Sequence, residues 1–149
     1  FRGYLVSDGF SIVTEDMVRE DGKYYPMMKA RKNRPDGAAE TFAGKYSETE
    51  LRYGPLLLAQ RHPVLREFLL WQQEQKSQIL ESLRQQERKN GILEELQQSD
   101  IFLCERLRQE EASRRRSQRI GQLEEELDDI RQALKQYEDV KGHEAHWQI

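Results

Sequence analysis

Arg106, Arg108, Arg114, Arg115, Arg116 and Arg119 form the densest concentration of one kind of chemistry in the chain. On a helix, arginines two, three and four residues apart project over overlapping faces, so several guanidiniums could reach a phosphate backbone together. Glu105, Glu110 and Glu111 are interleaved with them, however, and no asparagine is placed among them to read a base edge. The net charge of −3 points the same way. The sequence therefore predicts a solvated arginine face, or one paired with the carboxylates of another helix. Nucleic-acid contact through Arg114, Arg115, Arg116 and Arg119 is kept as the alternative.

Other reactive groups are sparse. Arg115, Arg116 and Ser117 have the composition of a basophilic kinase site, where a phosphate would reset the local charge. His143 and His146 stand three residues apart, not at the i, i+4 spacing of a zinc-binding helix, and no third ligand accompanies them. The lone Cys104 excludes an internal disulfide, fits a reducing compartment and, among Ile101, Phe102 and Leu103, reads as a buried thiol. There is no phosphate-cradling glycine loop, no nucleophile elbow and no paired-cysteine knuckle. The expectation is a non-enzymatic protein with no cofactor, no metal and no small-molecule substrate.

The elements that would position these groups are helices. Ile120, Leu123, Leu127, Ile130, Leu134 and Tyr137 recur at spacings of three and four, the seam of a coiled coil. With Ile120, Leu127 and Leu134 at a, Arg119 and Glu126 fall at g, and Glu124 and Arg131 at e. A parallel partner would then pair Arg119 with Glu124 and Glu126 with Arg131. Such a stripe needs another helix, from this chain or a second copy. Phe68, Leu69 and Trp71 form an apolar cluster further back, a candidate for docking a partner protein.

Asn90-Gly91 is the best helix stop in this half, so residues 61–139 read as long helices folding back near residues 89–91. Ile79, Leu80 and Leu83 would then meet Leu96, Ile101 and Phe102, with residues 79–107 closing the hairpin and 119–138 forming the coiled coil. A helix running on to Asp139 would be about 70 Å long, against a radius of gyration of roughly 15 Å for a compact chain of this size. An elongated molecule is expected, with residues 140–149 as a flexible tail.

The first 60 residues differ. Turn signals at Asp8-Gly9, Asp21-Gly22 and Arg34-Pro35-Asp36-Gly37 separate stretches rich in Val, Ile, Phe and Tyr. Residues 3–7, 10–19 and 23–31 read as a three-stranded antiparallel meander, with 39–43 as a possible fourth strand. Thr14-Glu15-Asp16 could instead cap a short helix, and Pro26 restricts its strand to an edge. Ser47 and Glu50 have the spacing of a capping box; helices should follow, broken at Gly54-Pro55 and restarted at Pro63.

The fold class expected is mainly α with a small N-terminal antiparallel β meander. Its function would be that of a structural or adaptor protein, joining partner proteins or copies of itself through coiled-coil helices. A nucleic-acid partner is not favoured. No run is long enough to span a membrane. Localisation is expected to be cytoplasmic or within a particle; because the chain starts at Phe1, a missing native N-terminus with its targeting information is also an expectation.

Overall fold

The computed structural model describes residues 1–33, 46–96 and 103–138. It is mostly helical, with one small antiparallel sheet near the N-terminus, in the order α1 (Arg2–Ser7), β1 (Phe10–Glu20), β2 (Lys23–Lys32), α2 (Glu48–Tyr53), α3 (Pro55–Ala59), α4 (Pro63–Leu96) and α5 (Leu103–Glu138). The expected α+β class is therefore found. The chain divides into two compact units, Phe1–Leu70 with Arg131–Ile149, and Trp71–Ile130.

In the first unit, β1 and β2 form a ribbon in which Glu20 pairs with Lys23 across Asp21-Gly22. Both turn residues have positive φ, 48° and 75°, as a tight hairpin turn requires. Val13 is the extra residue of a bulge between Ile12 and Thr14, which re-aims the strand. The expected third strand is instead helix α1. Asp8 donates its amide to the Tyr4 carbonyl at 3.0 Å, and Gly9 follows with φ 79°. A glycine of positive φ can close a hairpin or stop a helix, and here Asp8-Gly9 stops a helix. The alternative helix cap at Thr14-Glu15-Asp16 is likewise strand. The turn at Arg34 and the possible strand at 39–43 lie outside the described residues.

Ser47 caps α2 as its spacing predicts. Its hydroxyl accepts from Glu50 N at 3.2 Å, and its own amide donates to Glu50 Oε2 at 2.7 Å. Gly54 ends α2 at φ 109°, and Pro55 opens α3. The core of this unit gathers Ile12 and Met17 from β1, Tyr53, Leu57 and Leu58 from α2 and α3, and Leu65 and Leu69 from α4. Phe68 packs on Tyr24 with ring centroids 5.1 Å apart and the rings tilted by 57°, and Arg19 pairs with Glu67. Leu69 is thus core and Phe68 packs on the ribbon, so only Trp71 of the three docking candidates keeps a largely exposed side chain.

In the second unit α4 and α5 pack antiparallel. Leu80 is buried against Leu123 and Leu127, with Leu83 and Ile120 beside them. Lys76 meets Glu126, Arg84 meets Glu124 and Glu87 accepts from Ser117. This register differs from the expected one. Helix α4 runs through Asn90-Gly91 to Leu96, and one glycine inside a helix costs only about 1 kcal/mol. Ile79 and Leu107, expected to close the hairpin, are both exposed. Residues 97–102, with Ile101 and Phe102, lie outside the described residues.

The seam itself is legible in the structure, but its partner is internal. Leu123, Leu127 and Ile130 are buried, while Ile120, Leu134 and Tyr137 are partly buried. Within the chain, Glu124 pairs with Arg84 at 2.6 Å and Glu126 with Lys76 at 2.5 Å, both from α4. An antiparallel helix brings different side chains to the flanks than a parallel copy would.

Candidate nucleic-acid interface

The arginines of this run stand on α5, most of them exposed. Arg108, Arg115 and Arg119 stand at i, i+7 and i+11, within about 40° of one another around the axis, and rise roughly 16 Å along it. All three are exposed. Arg114 precedes buried Leu123 by nine residues, half a turn out of phase, so it faces away from α4. Arg106 is also exposed, whereas Arg116 is half-buried.

Their counter-charges are few. Arg115 lies 3.8 Å from Glu111 on the same helix, and Arg119 lies 3.8 Å from Glu126. Among the described residues no ion pair involves Arg106, Arg108 or Arg114. Both of these carboxylates belong to α5 itself, and α4 places its own cations, Lys76 and Arg84, on carboxylates of α5. Those α4 partners were missed in the sequence. The signal was there: Lys76, Leu80, Leu83 and Glu87 continue a spacing of three and four from Leu69, with polar residues replacing apolar ones.

Exposed guanidiniums in a row can bind successive phosphates of a nucleic-acid backbone, a contact that positions a duplex without reading its sequence. Ser117 sits between the arginines, its hydroxyl donating to Glu87 Oε1 at 2.9 Å. His143, His146, Trp147 and Ile149 lie outside the described residues, as do the surroundings of Cys104. No helix among the described residues is long and apolar enough to cross a membrane.

The first unit offers a cleft of about 510 Å³, lined by Phe1, Arg2, Pro26, Met27, Met28, Leu51 and Arg52. Arg2 is committed to Glu15, with Nε 2.6 Å from Oε1, and donates from Nη1 to the Arg52 carbonyl at 3.1 Å. Two guanidiniums and no carboxylate line the opening, which is ill suited to a cationic ligand. Away from it, the Tyr137 hydroxyl donates to the His62 carbonyl at 3.3 Å, and desolvation raises its pKa to about 12 against an opposing effect of Arg66.

Comparison with known proteins changes the functional conclusion. A family model, TrmK, described as tRNA (adenine(22)-N(1))-methyltransferase, matches residues 1–101. No curated protein matches the chain. Among solved structures, an uncharacterized protein from Listeria monocytogenes serotype 4b superposes with a TM-score of 0.61 at 14% identity, covering 89% of this chain and 45% of that one. The B. subtilis M1A22 tRNA methyltransferase TrmK superposes with a TM-score of 0.57 at 15% identity, again covering 89% of this chain and 45% of that one. This chain thus spans less than half the length of either, and at such identity the likeness is one of fold. The expectation of a non-enzymatic scaffold or adaptor is overturned, since the matching family is one of enzymes. The expectations against a nucleic-acid partner and against a small-molecule substrate fall with it, because methyl transfer to tRNA needs both an RNA and a methyl donor. Coiled-coil periodicity misled here because a helix pair closed within one chain carries the same seam as an assembly subunit. With about two thirds of its length matched, this chain belongs to the TrmK family of tRNA adenine N1-methyltransferases.

Proposed function

We propose that this chain is the tRNA-engaging part of an adenine N1-methyltransferase, with Arg108, Arg115 and Arg119 on α5 as the row that takes up backbone phosphates. The family match over residues 1–101 carries this reading. The arginine row lies C-terminal to the matched residues, and its assignment rests on its exposure and spacing. In this reading the antiparallel α4–α5 pairing is a short coiled coil whose task is to stiffen that row, with Arg106 and Arg114 adding charge from neighbouring faces.

The target atom explains why a backbone-holding surface is useful. N1 of adenine lies on the Watson–Crick edge, where a paired or stacked base hides it, so the enzyme must hold the RNA firmly while the base is exposed. Phosphate contacts supply such a grip independently of sequence. In this reading methyl transfer itself belongs to the part of the solved relatives' length that this chain does not span. The cleft of the first unit has Arg2 and Arg52 among its lining residues and no carboxylate. A sulfonium methyl donor is cationic and does not fit there, so no step of the reaction is placed in it.

The reading is tested by fluorescence anisotropy with tRNA over a range of salt. The logarithm of the affinity should fall linearly with the logarithm of salt concentration. Replacing Arg108, Arg115 and Arg119 together by glutamine should flatten that slope by about 2 to 3. Absence of binding at low salt, or a slope unchanged in the triple variant, would overturn it.

A further inference from the structure

Two arginines of the row are already in contact with carboxylates in the free chain. Arg115 Nη2 lies 3.8 Å from Glu111 Oε2, one helical turn earlier, and Arg119 Nη1 lies 3.8 Å from Glu126 Oε1, two turns later. Both separations are at the loose limit of an ion pair, and the arginine side chains remain 83% and 49% exposed. Glu126 has a second commitment, since its Oε2 receives Lys76 Nζ at 2.5 Å. If Arg119 leaves, Glu126 keeps a counter-charge across the helix pair. Glu111, 71% exposed, has water instead.

We propose that Glu111 and Glu126 act as built-in phosphate mimics that compete with RNA for Arg115 and Arg119. This rests on the reading of the row as an RNA surface. A carboxylate offers a guanidinium the same kind of anionic oxygen pair as a phosphate. An arriving backbone must therefore displace it, and each displacement lowers the gain from that contact. A polyanion that reaches only one or two arginines gains little, whereas one that engages the whole row accumulates enough. The carboxylates thus set a threshold against short or ill-shaped RNA, a form of discrimination by penalty. Lys76 makes the exchange at Arg119 reversible, because the partly buried Glu126 is never left without a cation.

The experiment compares E111Q and E126Q with E110Q, a control that removes an equal charge from a carboxylate with no ion pair among the described residues. Affinities are measured for tRNA, for a short single-stranded oligonucleotide and for inorganic polyphosphate. E111Q and E126Q should each tighten binding about two- to fivefold beyond E110Q. The gain should be at least as large for the short oligonucleotide as for tRNA, so that discrimination falls. In the R115Q background the excess gain of E111Q should vanish, and in R119Q that of E126Q should vanish. Gains that persist in those double variants, or that match E110Q, would overturn the competition. Because E126Q also releases Lys76, E111Q, which leaves the α4 pairing intact, is the decisive variant if E126Q unfolds. The polyphosphate arm separates the two levels of inference: coupling seen with polyphosphate but no tRNA binding sinks the tRNA reading and upholds the competition.

Discussion

Glu15 shows how far a single side chain can act from its place in sequence. It sits in β1, yet its carboxylate is fully buried, paired with Arg2 at 2.6 Å and accepting from the amides of Leu56 at 2.8 Å and Leu57 at 3.4 Å. Residues 14–16 cap no helix of their own but lie in β1, and Glu15 instead serves the start of α3. Sequence spacing cannot reveal a cap supplied from forty residues away. Replacing Glu15 by alanine leaves a largely buried guanidinium uncompensated and two amides without an acceptor, so urea denaturation should show a loss of about 3 kcal/mol or more. Gly54 is tied to the same group: its φ is 109°, and a Cβ there would come within 2.9 Å of both Glu15 oxygens. Tyr137 gives a pH test. Its raised pKa means the folded state holds the phenolic proton more tightly than the unfolded chain, so its contribution to stability is complete below pH 10 and lost as pH rises towards about 12. Ultraviolet titration should show one tyrosine ionising late, and Tyr137→Phe should remove that component.

At the scale of elements, local signals were read well where one residue type can satisfy only one geometry. The Asp21-Gly22 hairpin, the Ser47–Glu50 capping box, the break at Gly54-Pro55 and the start of α4 at Pro63 all follow from backbone chemistry within four residues. The failures came where a signal has two uses. Asp8-Gly9 ended a helix instead of a strand, and Asn90-Gly91 lies inside α4, where a glycine costs only about 1 kcal/mol. Gly121 carries the same lesson as a prediction. It lies inside α5, and a Cβ added there would meet nothing within 4 Å. Gly121→Ala should therefore stabilise the chain by up to about 1 kcal/mol in thermal or urea unfolding. Leu127, 2% exposed against Leu80, should behave oppositely. Its replacement by alanine should cost about 2 to 5 kcal/mol and lower the cooperativity of α4–α5 melting followed by circular dichroism.

For the whole molecule, the proposed tRNA-engaging role is tested by methylation kinetics. If the arginine row holds tRNA equally in ground and transition states, the Arg108, Arg115 and Arg119 triple glutamine variant should raise KM for tRNA while leaving kcat near its original value. Steady-state methylation kinetics at moderate salt would read this directly, and a fall in kcat alone would place the row in the chemistry instead. The residues alone determined the mostly helical composition, the capped helix starts, the apolar stripe of 120–137 and the crowding of arginines beside it, because each depends on short-range periodicity or on one side chain's chemistry. Tertiary structure decided what covers that stripe, which carboxylates meet which cations, and therefore which arginines stay open to solvent. A seam states only that an apolar surface must be covered. Whether a second molecule or a returning helix covers it depends on the free energy of the whole chain, in which an internal partner is always at hand.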